Sequence, residues 1–221
     1  MKTTNLIKTS LVALAGVFLF SACNKKDNTD YEEFYRQQEK SLDSLIFSQR
    51  TAIENYAKST YGTPVKDTVS MRYYYLNKKT DRSIWYEVVN EPTDNTYEYK
   101  ATLTNGGYVA VLPILKLKYT AKLLNGTVVQ EDKTGSTYNW QNNPNTPIFN
   151  NLWYYAFTPY DIKINGDAKI IGGITKNGLK KGSKFRIVGP SVFAFQNSTL
   201  GDKIPANSPL AYEFEVLEIS N

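Results

Sequence analysis

From Tyr31 to Lys58 the chain runs without a Gly or a Pro, whereas everything after Tyr61-Gly62-Thr63-Pro64 is broken into short runs rich in β-branched and aromatic residues. This change of texture divides the chain into a helical segment and a strand-rich remainder. In the first part Leu42, Leu45, Ile46, Ile53, Tyr56 and Ala57 recur at the spacing that lines one face of an α-helix. Asp30, with Glu33 three positions on, resembles a capping box. The pattern predicts one amphipathic helix, with a break near Ser48 as the alternative. Its apolar stripe either docks on the rest of the domain, the simpler arrangement, or pairs with a second copy.

In the remainder, Val69–Leu76, Ser83–Val89, Tyr97–Leu103 and Ile114–Leu124 read as strands. Asn105-Gly106-Gly107 and Asn125-Gly126 fall between such runs, as hairpin turns do. Ser136–Asn151, rich in Asn, Thr and Pro, reads as a long loop. Lys184–Val188 and Leu210–Ile219 are further strands, and alternation in the latter directs Tyr212, Phe214, Val216 and Ile219 to a core. Gly172-Gly173 has no phosphate-loop context, and no internal repeat is visible.

The first thirty residues have a different character. Met1–Thr9 carries Lys2 and Lys8 and no acid, Leu11–Phe20 is apolar or small throughout, and Ser21-Ala22-Cys23 follows. A basic start, a short apolar run and small residues make a secretory signal. The run is too short to cross a bilayer core of ~30 Å. A cysteine placed just after the small pair predicts a lipoprotein: residues 1–22 are the signal, and Cys23 carries the lipid through its sulfur. Several acyl chains, each worth about 0.8 kcal/mol per buried CH2, hold a protein to a membrane far better than one. Phe20 stands where such signals usually have Leu. The alternatives are a plain signal peptide with a chance cysteine, or an uncleaved anchor. Residues 23–30 read as a lipidated tether. Its acids, with Glu32 and Glu33, are a solvated linker and helix start or part of a sorting signal. The expected location is the cell envelope, outside the cytoplasm.

Composition narrows the chemistry. Cys23 is the only cysteine, so no internal disulfide forms. The chain contains no histidine, which removes Ser–His–Asp and Cys–His nucleophile systems and histidine-based metal sites. The net charge is +5, and loss of Lys2 and Lys8 leaves it mildly basic, with the remaining lysines scattered. No nucleic-acid partner, metal or cofactor is expected.

The segment Gly178–Ile219 carries a specific phrase. Leu179, Gly182, Lys184, Arg186, Pro190, Ser191, Ala194, Ile204, Pro205, Asn207, Ser208, Leu210, Glu215, Leu217 and Ile219 fall in the order and spacing of the FKBP-type peptidyl-prolyl cis-trans isomerases. Upstream, Leu117–Gly126 (LKYTAKLLNG) resembles that family's first hairpin phrase. With an opening strand near Trp85–Val89, the resemblance covers about residues 83–221. It implies an α+β fold: an FKBP-like antiparallel β-sheet wrapped around a short α-helix, here preceded by the amphipathic helix. Residues 31–82 then form an N-terminal helix and β extension. Residues 83–221 form the FKBP-like domain, with an inserted loop at about 136–168. The short helix is expected at Thr175–Lys181.

The resemblance also implies a pocket between sheet and helix. Tyr119 matches the aromatic residue of the first pocket strand. Ile170 and Ile171 fall where an apolar pair precedes the helix, with the Ile171 N–H as the donor to the substrate carbonyl. Phe195 stands where a tyrosine hydroxyl is usual, and Tyr212 replaces a phenylalanine. Val129-Gln130 replaces a Phe-Asp pair. The tryptophan floor appears as Ile174 or is absent, with Trp140 or Trp153 from the insertion as its replacement. Each of these is equally readable as a core residue.

Prolyl isomerisation needs no acid, base, metal or cofactor. Its barrier of about 18–20 kcal/mol is loss of amide resonance. A twisted imide is less dipolar than a planar one, so an apolar, water-poor pocket favours it. Three readings follow. The chain is a membrane-anchored isomerase or chaperone acting on proline-containing polypeptides, or a catalytically inactive FKBP-fold lipoprotein that binds a peptide or protein. The third is a glycan-binding surface β-domain, suggested by the aromatic content.

Overall fold

The computed structural model describes residues 31–140, 148–198 and 203–221. The signal segment, Cys23 and the tether lie outside the described residues.

Helix α1 spans Tyr31–Thr60 without interruption at Ser48. The Ser48 hydroxyl donates to the Leu45 carbonyl within the helix and breaks nothing. Ile46, Gln49, Ile53 and Ala57 are its buried stripe, following the 3.6-residue period. The helix stops before Thr63-Pro64, because a residue preceding proline is driven out of the helical region.

The strands are β1 (Val65–Lys66), β2 (Ser70–Tyr73), β3 (Lys78–Asp81), β4 (Trp85–Asn90), β5 (Ala101–Thr104), β6 (Gly107–Ala110), β7 (Ile114–Leu123), β8 (Val128–Asn139), β9 (Asp161–Ile164), β10 (Asp167–Ile170), β11 (Lys184–Gly189) and β12 (Leu210–Ser220). A second helix, α2, spans Asn151–Phe157. Among the described residues the main sheet has six strands in the order β1-β4-β11-β12-β7-β8, and all its pairings are antiparallel. The other strands form the two-stranded hairpins β2-β3, β5-β6 and β9-β10.

One face of the main sheet packs on α2. Leu115, Leu117, Tyr119 and Ala121 from β7, Phe185 and Ile187 from β11, and Tyr212, Phe214 and Val216 from β12 form one core with Leu152, Trp153, Ala156 and Phe157. The opposite face takes the C-terminal half of α1, where Ile53, Ala57 and Tyr61 meet Val188 and Ala211. Burying a side chain such as Ile53 or Val188 stabilises by roughly 1.5–3 kcal/mol. The apolar stripe of α1 therefore docks on its own domain. Phe47, on the far side of the helix, is 70% exposed.

Several strand limits differ from expectation. The run Val69–Leu76 ends at Tyr73, because Asn77 takes a left-handed conformation and turns the chain into β3. Tyr97 and Tyr99 lie outside any strand. Their rings pack edge to face, and the Tyr99 hydroxyl donates to the Leu179 carbonyl. Ser136–Asn139 is not loop: it completes β8, pairing as far as Ile114 with Asn139. The long partner strand β7 supplies hydrogen-bond partners to that end of the ladder, which outweighs the polar composition.

Candidate functional site

The site is organised by α2. Asn150 caps it: the side-chain oxygen accepts from the N–H groups of Leu152 (3.0 Å) and Trp153 (3.4 Å). No Gly or Pro follows until Pro159, so the turn continues and buries Leu152, Trp153, Ala156 and Phe157 against the sheet. The amide of Asn150 also donates to the Tyr212 hydroxyl at 2.7 Å, tying the helix start to β12.

Trp153 is fully buried at the centre of an aromatic cluster. Its ring centroid lies 4.8 Å from Phe214, 5.0 Å from Tyr119, 5.8 Å from Tyr138 and 6.0 Å from Tyr212, all near edge to face. That is the geometry aromatic quadrupoles prefer. Trp140 stacks on Phe149 at 4.3 Å, and both rings meet Trp153 on a half-buried side of the cluster. Trp153 thus lies edge to face against Tyr119 and Tyr212, two of the residues expected to line the pocket.

The polar groups here are few and directed. The Tyr138 hydroxyl donates to Asp132 at 2.7 Å. Asp132 also accepts N–H groups from Thr134, Gly135 and Ser136. Burial pushes the Asp132 carboxyl up, but these hydrogen bonds outweigh it and hold the group well below the usual carboxylate range. Burial likewise raises the Tyr212 and Tyr119 hydroxyls, so both stay neutral. The indole N–H of Trp140 is buried without an acceptor, and that of Trp153 is directed at the Tyr212 hydroxyl. A buried unpaired donor costs about 1–3 kcal/mol.

The other predicted residues divide. Val129 is 4% exposed and joins the same core from β8. Phe195 lies just after the 3-10 turn Ser191–Phe193 and packs half-buried against the main core. Ile170 does not belong: it ends β10 and is 67% exposed. Nor does Ile171, which packs with Tyr99 and Ile162. Its N–H, expected to face substrate, donates to the Tyr160 carbonyl at 2.8 Å. Ile174 touches the main core from elsewhere and lines a separate cavity of about 290 Å³ with Tyr86, Val88 and Leu179.

Thr175–Lys181 is not helical. Gly178 has φ +67, and a Cβ there would fall 2.5 Å from the Tyr99 ring. The β9-β10 hairpin is inserted between α2 and β11, which moves the helix upstream of where the family's spacing puts it. Trp153 is one of the two tryptophans the sequence offers for the floor; Tyr138 and Phe149, which meet it, are residues the motif does not point to. The signal for the helix is Asn150-Asn151 followed by an unbroken apolar and aromatic run, LWYYAF.

No family model and no curated protein matches the chain. Among solved structures, it is similar to a peptidyl-prolyl cis-trans isomerase of Pseudomonas syringae pv. tomato, at 14% identity and a TM-score of 0.43, over 81% of this chain and 96% of that one. It is also similar to FkpA of Escherichia coli, at 13% identity and a TM-score of 0.41, over 100% of this chain and 84% of that one. The three FKBP domains of wheat FKBP73 align at 16% identity and a TM-score of 0.38, over 62% of this chain and 44% of that one. In its own strand order, with a short helix packed on one face of an antiparallel sheet and the two motif phrases on the paired strands β7 and β12, the described chain is an α+β domain behind an N-terminal helix.

Proposed function

We propose that this chain is a membrane-anchored, extracytoplasmic FKBP-like protein that binds proline-containing polypeptides at the Trp153 cluster and catalyses their cis–trans isomerisation. The observation that carries the reading is Trp153. Its ring meets those of Tyr119 and Tyr212, which supports reading it as the aromatic floor that the motif alone lacked. A proline ring seated on the half-buried Trp140–Phe149 side of this cluster would leave water, and the twisted imide gains from that relative to the planar one. The Trp140 indole N–H, buried without an acceptor, would supply a donor for a carbonyl. The lipid on Cys23 would hold the domain at a membrane surface in the cell envelope.

A second reading, binding without catalysis, has its own support. Phe195 has no hydroxyl to offer. The Tyr212 hydroxyl is engaged with Asn150, and the Ile171 N–H with Tyr160. A prolyl-limited refolding assay separates the two. Acceleration by the protein that is lost in a folded Tyr119→Ala variant supports catalysis. Retained peptide binding with no acceleration assigns a binding role, and neither binding nor acceleration overturns both.

A further inference from the structure

Gln49 is a polar residue on the buried stripe of α1, 9% exposed, where the helical period calls for an apolar side chain. Its amide is fully used, and on one segment only. Its oxygen accepts the Ser191 backbone N–H at 2.8 Å. Its nitrogen donates to the Ser191 hydroxyl at 2.9 Å and to the Asn207 carbonyl at 2.9 Å. The donors and acceptors fit in one orientation of the amide only.

Ser191 and Asn207 lie near the two ends of the connection between β11 and β12, the connection that carries Phe195. The described parts of that connection are folded on themselves in a costly shape. Gln196 and Asn207 both have positive φ, 44° and 59°. The Asn207 N–H donates to the Gln196 carbonyl at 2.6 Å, and the Gln196 N–H to the Ser191 carbonyl at 2.8 Å. Left-handed non-glycine residues persist only where the surroundings over-determine them. Gln49, reaching across from another element, is such a constraint.

We propose that Gln49 is a positioning residue: it clamps both ends of the Phe195 connection to α1, so that docking of the N-terminal helix sets the shape and the affinity of the candidate site. The clamp is independent of the ligand, while its effect on affinity rests on the polypeptide-binding reading above. Gln49 touches no ligand itself. It acts through Ser191 and Asn207 on Phe195.

The test uses the full chain and Gln49→Met, which keeps the length and apolar body of the side chain and removes all three hydrogen bonds. Hydrogen exchange at the Ser191, Gln196 and Asn207 amides is expected to rise about tenfold or more, with the amides of β11 and β12 unchanged. Unchanged exchange at those three amides overturns the clamp. Exchange that rises equally throughout the sheet also overturns it, since Gln49 would then be an ordinary core residue. With Xaa-Pro peptides as the probe, Gln49→Met is expected to raise Kd or KM several-fold with kcat unaltered. Gln49→Glu, which keeps the acceptor for the Ser191 N–H, should lie between. Equal peptide affinity in wild type and Gln49→Met overturns the coupling to the site. If wild type binds no such peptide, the polypeptide-binding reading and the coupling built on it fall together, while exchange still decides the clamp.

Discussion

The Asn150 side chain serves two elements at once: its oxygen caps α2 and its nitrogen donates to the Tyr212 hydroxyl on β12, 2.7 Å away. The helix that carries Trp153 is therefore pinned to the strand that carries Tyr212 by a single amide. Replacing Asn150 by Ala removes the cap and one hydrogen bond to the buried Tyr212 hydroxyl, a combined loss of about 2–3 kcal/mol. Asn150→Asp keeps the capping oxygen and lets Tyr212 donate, so its loss should be smaller. Urea denaturation of the three proteins checks the order.

The docked face of α1 predicts a contrast within one helix. Ile53 is fully buried and packs with Val188 and Ala211, so Ile53→Ala should cost about 2–4 kcal/mol. Phe47 is 70% exposed, and Phe47→Ala should change stability by about 0.5 kcal/mol or less. Equal losses in thermal melts would contradict the docking arrangement.

Stability should fall in acid by a traceable route. Burial pushes up the carboxyls of Asp132 and Glu87, but hydrogen bonds outweigh it: Ser136, Tyr138 and Gly135 for the first, the Thr63 N–H and Arg186 for the second. Both folded-state pKa values lie below the unfolded ones of about 4. The stability they contribute is thus full above that pH and is lost as pH falls through the folded values. Asp132→Asn should be less stable than wild type at pH 7 and should lose less between pH 5 and about pH 2. Parallel curves would remove Asp132 as a source of the acid sensitivity.

Adding the hydroxyl that Phe195 lacks tests the catalytic reading by gain. Phe195→Tyr should raise isomerase efficiency about fivefold, the worth of one hydrogen bond of about 1 kcal/mol. An unchanged rate would place Phe195 away from the reacting imide.

The anchor is tested in the cell. The chain should sediment with membranes and be released to the soluble envelope fraction by Cys23→Ser. A Cys23→Ser protein that stays membrane-bound would contradict lipid attachment at that residue.

Much of this was legible in the chain itself. The spacing of Ile46, Ile53 and Ala57 gave the docked stripe of α1, because a helix buried on one side cannot hide its period. Alternation in β12 gave Tyr212, Phe214 and Val216, and the two motif phrases gave the strands that pair at Phe214 and Tyr119. The position of the short helix was not legible from the motif, which fixes order and not the length inserted between its parts. The signal lay in Asn165-Gly166, where both residues have positive φ, as an Asn-Gly hairpin turn requires. Read as the turn of β9-β10, it separates α2 from β11 and puts the short helix upstream. Gln49 was hidden for another reason: a polar residue on an apolar stripe discloses a partner only once the partner, here 142 positions away, is in place.

The central claim is that the Trp153 cluster receives a proline-containing polypeptide, and the indole N–H signals of the three tryptophans test it most directly. Trp140 and Trp153 belong to the cluster, while Trp85 packs against α1 on the opposite face. In two-dimensional ¹⁵N spectra assigned with single Trp→Phe variants, an Xaa-Pro peptide should shift the Trp140 and Trp153 signals saturably and leave Trp85 in place. A titration that moves none of them, or moves Trp85 alone, would contradict the assignment of the site.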